Sequence, residues 1–275
     1  MAMDQYSRIM GSFLPGPCYS PFQILGKLQP MVISVYGLGR FGQFWAEQLI
    51  AWGLPRGHKF LGFSRSETRA IPEGMVRIEE AGLIESDVII LCTAISSLDE
   101  VLPRIAPFIR PETLVMDTCS VKVAPTEAMK KYLPESVELM GTHPMFGPDS
   151  GKNGIAGLPL VFSPVRCKEK TTQAWDSYFN EMKLEVITMT PEEHDREAAY
   201  TQGVTHFIGR VLNEMELKSS PIATLGYREL MKIVEQTCND PFQLFLDLQN
   251  YNPYTHQMRL ELQKALEDNL ELMDQ

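Results

Sequence analysis

The stretch MVISVYGLGRFGQFWAEQLIAWG, Met31 to Gly53, limits the possible folds more than any other part of the chain. A short β-branched run stops at Gly37-Leu38-Gly39-Arg40-Phe41-Gly42, and the pattern after it places Phe41, Phe44, Trp45 and Leu49 at helical spacing. Strand, glycine turn and helix in that order suit a pyrophosphate held over a helix N-terminus. Gly37 makes the tight turn, Gly39 lets backbone approach phosphate, and Gly42 allows close packing of helix on strand. A plain glycine turn is the competing explanation, and the flanking strand and helix weigh against it. Gly37, Gly39, Arg40, Phe41 and Gly42 are therefore read as cofactor-binding positions.

Three further apolar runs follow the same logic: KFLGFS at Lys59 to Ser64, DVIILCT at Asp87 to Thr93, and TLVMDTCS at Thr113 to Ser120. Each is short and nearly continuous, as strands buried on both faces are, and helical patterns separate them. The alternation predicts an α/β fold with a Rossmann-type doubly wound sheet, ligands lying outside the carboxyl ends of its strands. Thr93, closing the third strand, is counted with the cofactor-binding positions.

After about Pro164 a mixed stretch runs to Ile187. The pattern then turns helical at TPEEHDREAAYTQGVTHFIGRVLNEMEL, where Thr190 as N-cap, Pro191 at N1 and Glu193 at N3 spell a capping box. No convincing strand follows. The expected organisation is an extension over residues 1–30, a dinucleotide-binding domain over 31–188, and an all-α C-terminal domain over 189–275 that serves substrate binding and dimerisation. The ending MRLELQKALEDNLELMDQ carries leucines near heptad spacing, which suits packing against a second subunit and a homodimer.

Composition narrows the partners. With 275 residues, a net charge of −10 and 44% hydrophobic residues, the chain suits small-molecule partners and argues against nucleic acid or an anionic membrane surface. No run of about 18 apolar residues is present. Pro15, Pro17, Pro21 and Pro30 interrupt the first thirty residues, unlike a signal peptide. Cys18, Cys92, Cys119, Cys167 and Cys238 are scattered, with neither a CxxC nor a Cys/His ligand spacing. No metal is expected, and a reducing, cytoplasmic location fits best.

The end of the second strand speaks to which nicotinamide cofactor is used. NAD enzymes place an acidic group about twenty residues after the glycines to accept from the ribose 2′-OH. Here Ser64, Arg65 and Ser66 stand instead, suited to the 2′-phosphate of NADP, with Glu67 close enough to leave NAD possible. The bland alternative is that Arg65 is a solvated surface charge.

One Gly/Pro-rich stretch, GTHPMFGPDSG at Gly141 to Gly151, reads as an ordered turn holding a single histidine, His143. Taken together, the glycine motif, the strand ending Cys92-Thr93, the block Asp117-Thr118-Cys119-Ser120-Val121-Lys122, the block Thr142-His143-Pro144-Met145-Phe146-Gly147-Pro148 and a helix carrying Thr205-His206 resemble the prephenate/arogenate dehydrogenases of tyrosine biosynthesis, with the plant-type arogenate branch nearest. The resemblance runs from about Met31 to the C-terminal helices.

It implies NADP-dependent oxidative decarboxylation of arogenate to tyrosine, with prephenate giving 4-hydroxyphenylpyruvate as the alternative. His143 then matches the catalytic histidine, a base of suitable pKa for the substrate hydroxyl, and Ser120 the serine that shares that hydroxyl. Gln202 and His206, four apart on one helix face, match substrate contacts, as does Thr224. Asp240 matches the position where arogenate-using members carry an aspartate for the ammonium. Plainer readings stand beside these. His143 could be a capped turn histidine, and Gln202 and His206 a helix-packing pair. Asp240 could be an N-cap, with Pro241 at N1 and Gln243 at N3.

His194 and Asp195 also match the family pattern, but their place in the first helical turn assigns them to helix initiation. Many bacterial relatives use an arginine for the substrate's ring carboxylate, and none here aligns with it; Arg210, Arg228 and Arg259 are the candidates, with a group from a partner subunit as the alternative. Outside this family, a β-hydroxyacid-type dehydrogenase would need a lysine base on the long helix, where this chain has His206 and Arg210. A non-catalytic NADP-binding sensor would bind cofactor without turnover.

Overall fold

The β-branched run before the glycine motif forms strand β1 (Val32–Tyr36). In the computed structural model, which describes residues 29–274, it lies at the centre of one sheet. The expected extension, apart from its last two residues, and Cys18 fall outside the described residues. The other strands are β2 (Lys59–Phe63), β3 (Met75–Arg77), β4 (Val88–Leu91), β5 (Leu114–Asp117), β6 (Glu138–Pro144), β7 (Pro159–Arg166) and β8 (Glu185–Thr188), in the order β3-β2-β1-β4-β5-β6-β7-β8. All neighbours run parallel except β6 and β7. The order reverses direction between β1 and β4, and that is where a doubly wound sheet opens its crevice.

Helices α1 (Arg40–Gly53), α2 (Leu98–Ile105), α3 (Val123–Tyr132) and α4 (Glu169–Glu181) cover the two faces. One apolar cluster joins Trp45 and Leu49 to Phe162, Trp175 and Phe179, and the other joins Leu98 and Leu102 to Met129 and Leu139. Burial on both sides explains why β4 and β5 read as continuous apolar runs.

Beyond β8 the chain is helical: α5 (Pro191–Ala198), a π-helical turn at Ala199–Gly203, α6 (Val204–Glu214), α7 (Leu225–Asn239), α8 (Phe242–Tyr251) and α9 (Thr255–Met273). The capping box forms as expected, Glu193 N donating to Thr190 Oγ1 at 3.2 Å and Thr190 N to Glu193 Oε2 at 2.8 Å. A Cβ on Gly209 would stand 2.1 Å from Thr237 Oγ1, so the lack of a side chain there lets α6 and α7 close on each other.

The structure corrects the reading of Gly141 to Gly151 as a turn throughout. Gly141, Thr142, His143 and Pro144 are the last residues of β6, buried between β5 and β7, with His143 opposite Val161. Cross-strand pairing on both sides outweighs poor strand propensity, and Pro144 is tolerated because it ends the strand. Only Met145 to Gly151 turns, closed by Gly151 N to Gly147 O at 2.8 Å.

A buried ion pair welds this region together. Lys122 and Asp117 have no exposed side-chain surface; the Lys122 ammonium donates to Asp117 Oδ1 and, at 2.6 Å, to the Thr142 carbonyl. Asp117 ends β5, Lys122 precedes α3, and Thr142 is next to His143, so one cation fixes three segments. Removing one partner of such a pair leaves an uncompensated charge and costs about 3–5 kcal/mol. Lys122→Met is expected to lower the melting temperature by on the order of 10 °C, with Asp117→Asn in the same background recovering part of the loss. Thermal denaturation of the three proteins checks this.

Candidate active site

At the carboxyl ends of β1 and β4 the glycine turn meets its geometric requirements. Gly37 has φ +103°, and a Cβ on it would lie 2.6 Å from the Cys92 carbonyl oxygen; a Cβ on Gly42 would lie 1.9 Å from the Gly37 oxygen. Above Gly39 there is open space, with nothing within 4 Å of where a Cβ would stand. Gly39 is the N-cap of α1 and makes no side-chain cap bond, and the first helical bond is Gln43 N to Gly39 O at 3.0 Å. The amides of Arg40, Phe41 and Gly42 thus lack intrahelical partners and face an open concavity, the form of an anion site.

A cleft of about 320 Å³ extends from Gly37 and Gly39 past Ser64, Arg65, Ser66 and Thr93 towards Ser97. Thr93 Oγ1 is buried there with no partner among the described residues. Ser64 occupies the position just beyond β2, and the exposed Arg65 and Arg69 flank it. The Tyr36 hydroxyl, at the back wall, donates to Glu80, and Arg104 donates to it at 2.9 Å; burial first and then Glu80 push its pKa up to about 12. A dinucleotide therefore fits these residues, with two sequence-read positions shifted in role. The Phe41 ring packs on Trp45 and Phe44, leaving only its amide for phosphate. The Arg40 side chain turns away to Asp149 at 2.5 Å and lies 3.8 Å from Asp240.

His143 projects from the end of β6 into a buried group of polar side chains. Its Nδ1 lies 2.9 Å from His194 Nε2, and His194 Nδ1 lies 2.8 Å from Asp195 Oδ1. Asp195 also accepts from the amides of Lys122 at 2.6 Å and Val123 at 2.9 Å. Helix α3 has no side-chain cap of its own, so a carboxylate from α5 caps it across the structure. The expectation that His194 and Asp195 serve only to start α5 is thereby corrected. Thr190 and Glu193 already cap that helix, which frees the next two side chains to point into the protein. A two-residue step past a capping box, on an otherwise polar turn, was the available signal. Asp117 and Lys122, the other residues missed as functional, stood within the quoted blocks without a role.

Burial holds the His143 imidazole well below its ordinary value of 6.5, and His194, Lys122 and His206 push the same way. Ser120 Oγ, Gln202 Oε1, His206 Nδ1 and Arg210 Nε are all buried without a hydrogen-bond partner among the described residues. Buried polar atoms are normally satisfied, so each such orphan is open to a polar ligand. The π-helical turn sets two of them, because its wider step rotates Gln202 relative to His206 on the continuing α6.

Asp240 is not an N-cap. It ends α7 with ψ 146°, α8 starts from Pro241 without a side-chain cap, and Gln243 donates to Asp247 at 2.7 Å instead of closing a box. Proline at the N-cap position displaces the start of α8 by one residue, which releases the carboxylate. Burial raises the Asp240 pKa from 3.8, against the lowering by His206 and Arg40. The Asp240 backbone carbonyl accepts from Arg210 Nη2 at 2.8 Å. Of the three candidate arginines, Arg210 therefore joins this group. Arg228 donates to the Ala223 carbonyl and Arg259 to Gln249, and neither joins it. Thr224 is likewise apart, an exposed N-cap of α7 accepting from Tyr227 N at 3.2 Å.

Among the described residues no cluster of three or more metal-ligating side chains occurs, and no helix is long and apolar enough to cross a membrane. Cys92, Cys119, Cys167 and Cys238 are free.

The sequence model described as "Prephenate dehydrogenase, nucleotide-binding domain" matches residues 68–173, and that described as "TYRAAT1-like, C-terminal domain" matches residues 211–274. The chain is 38% identical over 253 residues to "Arogenate dehydrogenase 2, chloroplastic" of Arabidopsis thaliana, covering 88% of this chain and 69% of the relative. It is 37% identical over 233 residues to "Arogenate dehydrogenase 1, chloroplastic" of the same plant, covering 80% of this chain and 36% of the longer relative. Among solved structures, Synechocystis arogenate dehydrogenase superposes with TM-score 0.66 at 20% identity, over 89% of this chain and 92% of that one. Prephenate dehydrogenase from A. aeolicus, in complex with hydroxyphenyl propionate and NAD+, superposes with TM-score 0.70 at 18% identity, over 90% and 91%. At those identities the structures bear on the fold alone.

The histidines make the fold acid-sensitive. Burial lowers the pKa of His58, His143 and His206 from 6.5, so the unfolded chain binds more protons than the folded one below that value. Their stabilisation is fully present above about pH 6.5 and is lost as pH falls through the folded values. The melting temperature is expected to drop between about pH 7 and pH 5, less steeply in His143→Asn; a flat profile across that interval refutes the neutral buried state.

Proposed function

The chain belongs to the prephenate/arogenate dehydrogenase family, and on that premise we propose that it oxidatively decarboxylates arogenate to tyrosine with NADP. The observation that carries the chemistry is His143, buried, neutral and hydrogen-bonded through one ring nitrogen, with His206 near it and with orphaned polar atoms on Ser120, Gln202 and His206 in the same chain. A bound nicotinamide would accept the hydride.

The protein's own groups then have separable tasks. His143 takes the proton of the ring hydroxyl as the carbinol carbon is oxidised, and its low pKa keeps it unprotonated and ready at neutral pH. Ser120 Oγ shares that hydroxyl and orients it. Gln202 and His206 would offer hydrogen bonds to the ring substituents, and Arg210 Nε, unpartnered among the described residues, supports a contact with the ring carboxylate that leaves as CO₂. Enclosure of these groups removes competing water.

Asp240 supports arogenate over prephenate. The two substrates differ in an amino group where the other has a ketone, and a partly buried carboxylate left uncapped by its own helix suits the ammonium. Thr224, at an exposed helix end, does not support the substrate contact that the resemblance implies. Ser64, Arg65 and Ser66 in place of an acidic residue support NADP; one yeast relative, 24% identical, is named "Prephenate dehydrogenase [NADP(+)]", whereas the A. aeolicus structure holds NAD+. A β-hydroxyacid mechanism finds no lysine on the long helix from Pro191 to Glu214, and Lys122 is held by Asp117. Satisfied, water-facing side chains would suit a silent sensor better than buried orphans do.

The exposed Leu260, Leu266, Leu270 and Leu272 along α9 support a homodimer. The four free cysteines among the described residues support a reducing compartment such as the cytoplasm, whereas the Arabidopsis relatives are named chloroplastic.

Arogenate and prephenate, each with NAD and NADP, form the deciding assay, read as the reduced nicotinamide; turnover of neither substrate refutes the proposal. His143→Asn is expected to retain NADP affinity and lose about 10²- to 10⁴-fold in kcat. Asp240→Asn is expected to lower the ratio of kcat/KM for arogenate over prephenate by about 10- to 100-fold, the worth of a hydrogen bond to a charged group. An unchanged ratio would move the discrimination elsewhere.

A further inference from the structure

A base must present a lone pair, and a neutral imidazole has only one. Which nitrogen carries it is set by what the other nitrogen meets, and around His143 that question has an answer. We propose that His194 and Asp195 are positioning residues that lock His143 in its Nδ1–H tautomer, leaving Nε2 as the acceptor turned to the substrate hydroxyl. This rests on the reading of His143 as the base.

The chain of constraints starts at Asp195, whose side chain is fully buried. Oδ1 accepts from the Lys122 amide and Oδ2 from the Val123 amide, both fixed donors, so the carboxylate is held as an acceptor at the N-terminus of α3. Facing Oδ1 at 2.8 Å, His194 Nδ1 must carry a hydrogen. With that one hydrogen on Nδ1, the His194 ring has its lone pair on Nε2, and His143 Nδ1, 2.9 Å away, donates to it. Nε2 of His143 is thereby left unprotonated.

On turnover the substrate O–H bond breaks and an N–H bond forms at Nε2. The electron pair stays on oxygen and becomes part of the new C=O as hydride departs to the nicotinamide. The cation so formed keeps its Nδ1–H bond towards His194, with the Asp195 charge behind it. The other charges facing His143 are the Lys122 ammonium with its Asp117 partner, and His206 with Asp240 and Arg210 behind it. Lys122 and a protonated His206 oppose the cation, so Asp195 is the carboxylate aligned with it. The same carboxylate sets the start of α3, three residues after Ser120, and so links the base to the hydroxyl group proposed to work beside it.

Two measurements test this. In the free full-length protein labelled with ¹⁵N-histidine, long-range ¹H–¹⁵N correlations, assigned by comparison with His143→Asn and His194→Gln, are expected to show His143 protonated at Nδ1 and bare at Nε2. The opposite tautomer, which a doubly protonated His194 would impose, overturns the proposal whether or not arogenate proves to be the substrate. In kinetics, His194→Gln keeps a carbonyl that accepts from His143 Nδ1, whereas His194→Leu does not. The glutamine variant is expected to exceed the leucine variant in kcat by about 10-fold or more, with KM for arogenate and NADP nearly alike. Equal kcat in the two overturns the lock. Asp195→Asn is expected to lose about 10²- to 10⁴-fold in kcat and to move the acid limb of the pH profile, as the matching change does in a Ser–His–Asp triad. Should that variant fail to fold, the spectrum and the His194 pair decide. Absence of turnover in the parent protein would refute the functional reading and leave the spectrum to judge the tautomer.

Discussion

A lysine with no exposed surface must be paired, and the partners of Lys122 determine where the chemistry of this chain can lie. Its ammonium reaches the last residue of β5 and the carbonyl beside His143, while its own amide and that of Val123 bind Asp195. Side chain and backbone of one residue thus draw together the end of a parallel strand, the end of its neighbour, the start of α3 and the first turn of α5. Desolvating the charge is costly and the pairing repays it only with good geometry, so the arrangement specifies position more than it adds stability.

Around that weld, two regions meet from opposite sides. The sheet's carboxyl edge contributes the glycine turn, Thr93, Ser120 and His143; the helices after β8 contribute His194, Gln202, His206, Arg210 and Asp240. Within the helical region, the packing rests on a missing side chain and an irregular turn. Gly209 lets α7 settle against α6, and the π-helical turn at Ala199–Gly203 carries Gln202. An ordinary α-helical step there would rotate Gln202 against His206 by a different angle, and such turns recur at functional sites for that reason.

Much of this was legible in the chain itself, for identifiable physical reasons. The glycine motif and the capping box at Thr190 are local grammars, in which neighbours within a few residues decide the outcome, and both formed as read. His143 was legible as a candidate base but not as a strand residue, because β6 owes its conformation to partners tens of residues away, Asp117 on one side and Val161 on the other. Asp240 looked like a helix cap by the same local grammar that succeeded at Thr190; there a proline occupied the cap position itself. His194 and Asp195 were visible only as polar residues in a first turn. Their partners, Lys122 and His143, lie over fifty residues back, beyond any local pattern.

On the proposed function, the position of Arg40 would tie substrate recognition to the cofactor turn. It opens α1 directly after the glycines, bonds Asp149 in the Met145–Gly151 turn, and lies 3.8 Å from Asp240 on the helical side. At that separation Arg40 gives Asp240 charge compensation without occupying its acceptor sites, so among the described residues the carboxylate, raised in pKa by burial, still lacks a donor in direct contact. A neutral ketone would leave it so, and an ammonium would satisfy it. Discrimination of this kind needs no steric exclusion. It would follow from the cost of a partly buried charge left short of hydrogen bonds, and on the proposed function the choice between the two substrates would lie beside the residue that follows the glycine turn.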